Sequence, residues 1–281
     1  MNVLRRAFDF FIFSNLYISL CAVLMVFQTS RLLLHTPVSL NLICFVFLST
    51  VCSYNFHWYL TTHSLKISRR IQWTRQNKPA HLVLCIAGLA GATFFFFTLK
   101  SHWMALTLAA FITFLYSAPK LPLPFFNNLR KIAIGKTIFL SFAWMYVTAV
   151  LPVFVAGKTW QTEYGLFAMS RFLLIYAICI IFDYRDREDD KHDGIRSMIT
   201  YLGEKGINIL FSLTIILFAV STIALYTYNY TAYTIFILLA PGLIVAGLYN
   251  YAKKNYSDYL YYFVLDGLMM FSGLLVLVVK I

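Results

Sequence analysis

Carboxylates are scarce in this chain: across 281 residues, 11 Asp and Glu stand against 23 Lys and Arg, a formal net charge of +12. Charged residues make up 12% of the sequence, about half of what a soluble domain carries. That leaves too little polar surface to solvate a water-soluble fold, and no stretch long enough for a soluble domain stands apart. The five cysteines, Cys21, Cys44, Cys52, Cys85 and Cys179, lie scattered in apolar segments with no close pair. This spacing offers neither a disulfide framework nor a zinc site. No Gly-rich phosphate loop, Ser-His-Asp set or nucleotide fingerprint is present. The positive balance does not point to nucleic acid, because the basic residues sit beside apolar runs, where they anchor against an anionic leaflet.

What the chain has in abundance is long apolar segments, at a mean hydropathy of +0.74 and with 60% hydrophobic residues. A membrane-spanning helix needs about 20 such residues. That length predicts nine spans, at about 8–27, 38–60, 81–99, 103–117, 132–155, 164–182, 206–226, 231–249 and 256–279. The segments are uniformly apolar instead of alternating, so helices are expected and strands are not. Arg5 and Arg6 precede the first run as in a signal peptide, but no small-residue cleavage site follows, so it is read as a first span.

Eighteen of the 23 Lys and Arg fall on one side of this arrangement: near the N-terminus and around the segments after spans 2, 4, 6 and 8. Positive charge marks the cytoplasmic side, which predicts a cytoplasmic N-terminus and an external C-terminus. The expectation is a single all-α transmembrane domain over residues 1–281, with cytoplasmic loops at 61–80, 118–131 and 183–205, in a bacterial inner membrane.

Seven of the 11 acids collect after span 6. If that span continues as a helix, Asp183, Asp186, Asp190 and Asp193 form one stripe, since residues three and four apart share a face. Like charges at this spacing repel, and a hard cation such as Mg²⁺ would hold them together, completing its shell with phosphate oxygens. Lys191, Arg187 and Arg196 flank the stripe and would hold an anionic group directly.

The run Asp183-x-x-Asp186-x-x-x-Asp190-x-x-x-Gly194-x-x-Ser197 resembles the second aspartate-rich motif of the UbiA-type intramembrane prenyltransferases. Tyr116-Ser117-Ala118-Pro119-Lys120 is similar to that family's Tyr-Ser-x-Pro segment. The resemblance implies a nine-helix UbiA-like bundle that binds Mg²⁺ and the diphosphate of an isoprenoid donor. A lipophilic aromatic or quinone-precursor acceptor would receive the prenyl chain, with surrounding membrane lipids as the other partners. It implies metal ligation by Asp183, Asp186 and Asp190, and diphosphate contacts from Asn55, Tyr116 and Lys120, with Lys191 and Arg196 beside the stripe.

The family's first motif, at the end of span 2, would carry further aspartates, but this chain reads Asn55-Phe-His-Trp-Tyr-Leu-Thr-Thr-His63. Phe56, Tyr59 and His63 stand where carboxylates are expected. One Mg²⁺ instead of two is therefore anticipated, with Lys66 and Arg69 or Arg70 supplying the missing positive charge. Two alternatives stay open. One is a bundle that has lost the chemistry and binds a polyprenyl lipid or a membrane partner; the other is a transporter built around Asp266 and Arg171.

Overall fold

A computed structural model describes residues 3–61, 68–118, 136–192 and 197–279 of the chain. Every regular element among these residues is helical. In chain order they are α1 (Val3–Phe13), α2 (Leu16–Gln28), α3 (Leu40–Leu60), α4 (Arg69–Gln76), α5 (Lys78–Thr98), α6 (Trp103–Ser117), α7 (Lys136–Met145), α8 (Leu151–Val155), α9 (Thr162–His192), α10 (Met198–Tyr201), α11 (Glu204–Ala224), α12 (Ala232–Ala252) and α13 (Asp266–Val279). Wide π turns at Thr29–Leu33, Tyr146–Val150 and Leu260–Leu265 extend α2, join α7 to α8 and lead into α13. Hydroxyl side chains start several helices by accepting from exposed backbone N–H groups: Ser39 from Leu42, Ser68 from Ile71 and Thr231 from Thr234.

Eight helical segments among the described residues are long and apolar enough to cross a membrane. The ninth expected span, 103–117, coincides with α6, a helix of 15 residues. At 1.5 Å per residue it reaches about 22 Å, short of a hydrocarbon core about 30 Å thick.

The first expected span, 8–27, is divided. Asn15 adopts a left-handed conformation (φ 67°) that ends α1, so the apolar run that crosses starts at Leu16. Asn and Asp tolerate this conformation better than other residues with a Cβ. The expected loop 61–80 likewise contains α4 and the start of α5, and most of the expected loop 118–131 lies outside the described residues.

α9 is the central element. At 31 residues it extends about 46 Å, so it carries its carboxylate end well beyond a bilayer core. Residues Leu173–Ile181 are buried all round, which suits a helix enclosed by other helices. α3 and α5 pack backbone to backbone at Gly88, where an added Cβ would lie 2.8 Å from both the Cys52 nitrogen and the Leu48 carbonyl oxygen. Small residues allow this close approach where lipid offers helices no hydrophobic drive to associate.

Candidate functional site

The far end of α9 presents the predicted stripe as a partly enclosed face. Asp183 and Asp190 are 7% and 5% exposed, and the side chain of Asp186 is 35% exposed. Asp183 accepts a short hydrogen bond from the Thr137 hydroxyl on α7. Asp186 is gripped by its neighbour Arg185: Nε donates to Oδ1 at 2.7 Å and Nη2 to Oδ2 at 3.0 Å. Nη2 of Arg185 also donates to the Tyr262 hydroxyl at 2.9 Å, and the guanidinium lies 4.3 Å from the centre of the Tyr261 ring. This planar fork matches carboxylate geometry in a way that lysine would not.

Lys191 projects differently. It pairs with Glu188 at 3.2 Å, and both side chains are exposed, on the solvent side of α9. Arg187 donates to the Leu202 carbonyl and ties α9 to the segment before α11. Lys66, Lys120, Asp193 and Arg196 lie outside the described residues.

Where the first motif would stand, the structure places an amide and imidazole cluster around a buried arginine. Asn55 is fully buried. Its Nδ2 donates to the carbonyls of Ser14 (2.9 Å) and Val51 (2.8 Å), and its Oδ1 accepts from Asn15 (3.2 Å) and lies 2.6 Å from His81 Nδ1. Asn15 in turn accepts from Arg70 Nη2 at 2.5 Å. Both polar atoms of Asn55 are thus engaged by protein, and a hydrogen-bond chain through Asn15 connects it to Arg70. The left-handed turn that divides the first span is what brings Asn15 here.

Arg70 is 2% exposed, with its guanidinium 4.1 Å from the Trp58 ring and 4.3 Å from the Tyr262 ring. Its backbone N–H is capped by Asp258 at 2.8 Å. Burial pushes its pKa down to about 10, which still leaves the side chain charged at neutral pH. Arg69, the other residue expected to replace a metal ion, instead turns to Asp9 in a bidentate ion pair that raises its pKa. Tyr262 joins the two halves of the site, since it faces Arg70 with its ring and accepts from Arg185 with its hydroxyl.

Inside the bundle from this polar layer is a small, partly open apolar cavity of about 50 Å³, between α2, α3, α6 and α7. Tyr54 and Trp144 form one wall, with Trp144 Nε1 donating to the Tyr54 hydroxyl at 2.8 Å. Tyr116 and His57 form another, stacked at 4.9 Å, with His57 Nδ1 3.4 Å from the Ser117 hydroxyl. Tyr116, expected at the diphosphate, therefore belongs to the wall of this cavity.

Comparison with known proteins decides the family. The model of the UbiA prenyltransferase family matches residues 65–272, well over half of the chain. This protein belongs to that family. Among solved structures, the apo structure of a UbiA homolog from Aeropyrum pernix K1 is similar, with a TM-score of 0.64 over 96% of this chain and 98% of that one. At 15% identity that likeness concerns the fold alone. No curated protein matches the chain in sequence.

In this UbiA family member the two expected motif regions, after α3 and along α9, meet through Arg70, Tyr262 and Arg185. Arg185 and Tyr262 were not anticipated from the sequence. Arg185 read as one more basic residue at a membrane face, although its place between Asp183 and Asp186 on a helix aims it across the stripe.

Among the described residues no group of three His, Cys, Asp or Glu gathers closely enough to hold a metal ion. Asp186 and Asp190, four apart on one helix, still form a donor set of the kind that holds Mg²⁺ when phosphate oxygens complete the shell. The residues present thus fit an ion that arrives with a diphosphate, and do not form a cage for a resident one.

Proposed function

We propose that this UbiA-family membrane protein transfers an isoprenoid chain from a prenyl diphosphate to a lipophilic aromatic or quinone-precursor acceptor, in a bacterial inner membrane and with the N-terminus cytoplasmic. The observation that carries this reading is the juxtaposition of a buried cation pair, Arg70 and Arg185, with the carboxylate face of α9 and an apolar cavity beneath. A prenyl diphosphate has the matching shape: a multiply charged anionic head, then a hydrocarbon tail.

In this reading Arg70 and Arg185 bind the diphosphate and stabilise the charge that develops on it as the allylic C–O bond breaks. Lys66, Lys120 and Arg196 contribute to the same headgroup, and Lys191 reaches it from the outer side. Asp186 and Asp190, with Asp183 assisting, would hold one Mg²⁺, which would supply neutralisation of phosphate charge. Tyr54, Trp144 and Tyr116 present ring faces to an allylic cation and keep water from it. The absence of carboxylates at Phe56, Tyr59 and His63 is matched by the buried guanidinium of Arg70, a fixed positive charge that needs no anchoring acid.

Lipid binding without transfer is the second reading. It is favoured by the same missing carboxylates and by Arg185, which already occupies both oxygens of Asp186. Membranes containing the protein, incubated with labelled prenyl diphosphates, Mg²⁺ and aromatic acceptors, separate the two. Product that disappears with Asp186→Asn/Asp190→Asn establishes transfer; saturable binding with no product establishes the lipid-binding reading.

Transport has less support. Arg171 is bound to Ser170, Ser272 and the Leu238 carbonyl, which is an interhelical tie, and it does not pair with Asp266.

A further inference from the structure

The five cysteines stand apart in sequence, but the fold brings two of them together. Cys52 on α3 and Cys85 on α5 lie 33 positions apart, and their Sγ atoms are 3.8 Å from each other, in van der Waals contact. Both are free thiols and both are half-buried. The contact belongs to a continuous antiparallel seam. As α3 runs forward and α5 backward, Leu48 and Cys52 meet Gly88, Cys52 meets Cys85, and Asn55 meets His81 at 2.6 Å. At Gly88 an added Cβ would lie 3.1 Å from the Cys52 Cα, so the two backbones touch beside the thiols. Isolated cysteines in apolar segments serve as small fillers. Here two of them face each other where their helices are closest, so a disulfide needs the thiols to rotate toward one another while the helices keep their places.

Both thiols lie inside membrane-spanning segments, Cys52 in Leu40–Leu60 and Cys85 in Lys78–Thr98, the latter about 10 Å from the start of its helix. The neighbours of Cys85 on α5, Leu82, Ile86 and Leu89, are exposed on the surface of a spanning helix, so this edge of the seam faces hydrocarbon. An oxidant dissolved in the bilayer reaches the pair, whereas a charged one confined to water does not. A crosslink here would close the segment between residues 52 and 85, which carries Asn55, Trp58 and Arg70. It would also fix the two helices whose side chains form the Asn55–His81 contact one turn away.

We propose that Cys52 and Cys85 are an oxidation-sensitive pair that a lipid-soluble hydroperoxide converts to a disulfide, stapling α3 to α5. The inference is independent of the transfer and lipid-binding readings above. One thiol sulfur attacks the terminal peroxide oxygen, the O–O bond breaks, and the departing alkoxide takes the thiol proton and leaves as an alcohol. The attacked cysteine is then a sulfenic acid, which condenses with a neighbouring thiol. The second sulfur attacks the first, the S–S bond forms, the S–O bond breaks, and the hydroxyl leaves as water with the second thiol proton. Two thiols are oxidised and one hydroperoxide is reduced. The close contact between the sulfurs makes the second step intramolecular, so crosslinking outpaces further oxidation to sulfinic acid.

The test uses the full-length protein in lipid nanodiscs, first reduced and then exposed to cumene hydroperoxide. Two of the five thiols should be lost, and digestion followed by mass spectrometry should recover peptides joined through Cys52 and Cys85 within one chain. The melting temperature should rise by about 5–10 °C, since the crosslink closes a long loop of the denatured chain. A phosphine reductant should restore both thiols and reverse the rise. Oxidised glutathione, charged and confined to water, should leave the pair intact. Cys52→Ser and Cys85→Ser should each abolish the crosslink, and the wild-type measurement stands whether or not these variants fold. Surviving thiols, sulfinic or sulfonic acids without a crosslink, a bond to another cysteine or between two chains, or a crosslink that leaves the melting temperature unchanged each overturns the proposal. Equally fast crosslinking by oxidised glutathione overturns it too, because the pair would then answer to water and not to the bilayer.

Discussion

Arg185 holds both carboxylate oxygens of Asp186, at 2.7 and 3.0 Å, through the same guanidinium that reaches the Tyr262 hydroxyl. A residue selected for an anionic stripe is thereby neutralised by its own neighbour, and the pair is positioned by an aromatic shared with Arg70. This end of α9 therefore presents an ion pair at Asp186 instead of a bare acid.

Replacing Arg185 by Gln should weaken binding of a labelled prenyl diphosphate by roughly 30-fold, since a hydrogen bond to a charged group is worth about 2 kcal/mol. Equilibrium binding to purified protein measures this. Unchanged affinity would show that the guanidinium serves only Asp186.

Asn55→Leu removes the partner of Asn15, His81 and two carbonyls without changing net charge. Each buried polar group left unsatisfied costs about 1–3 kcal/mol, so a large drop in melting temperature in detergent is expected. Diphosphate affinity should fall as well, because Arg70 loses its anchor through Asn15. Weakened affinity with no change in melting temperature would argue that Asn55 contacts the ligand itself.

The seam between α3 and α5 depends on Gly88. Gly88→Ala places a Cβ 2.8 Å from backbone atoms of Leu48 and Cys52, and such overpacking costs about 1–3 kcal/mol. Gly247→Ala meets nothing within 4 Å and should be neutral or stabilise α12 by up to about 1 kcal/mol. Parallel thermal denaturation of the two variants would contradict the packing account if they behaved alike.

Ala143 lines the apolar cavity on α7 and is buried there. Ala143→Phe should shorten the longest isoprenoid chain accepted while leaving short donors as substrates. Competition between geranyl and longer diphosphates, followed by product chromatography, reads this directly. A variant with an unchanged chain-length profile would place the hydrocarbon tail elsewhere.

The carboxylate stripe was legible because a helix imposes its own periodicity. Once span 6 was continued, Asp183, Asp186 and Asp190 had to share a face, and two of the three are buried there. The other half of the site was not legible. Asn15 comes from the turn between α1 and α2, Arg70 from α4 and His81 from α5, and no local spacing connects residues that lie 55 or 26 positions from their partners. Asn55 was recognised as a site residue, but its direct partners are protein groups. Asp266 was conspicuous as an intramembrane acid, yet Arg171, the partner the sequence offered for it, is bound to Ser170, Ser272 and the Leu238 carbonyl.

Apolar length and the bias of Lys and Arg are properties of the chain itself, because the bilayer acts on each segment almost independently. Membrane character, helical class and the family resemblance could therefore be read from residues in order. Which arginine turns inward, and which carboxylate it meets, was decided by packing. Arg69 and Arg70 are adjacent in sequence and about 100° apart on a helix, so one reaches Asp9 and the other enters the bundle. Only the assembled helices determine which of those directions is the interior.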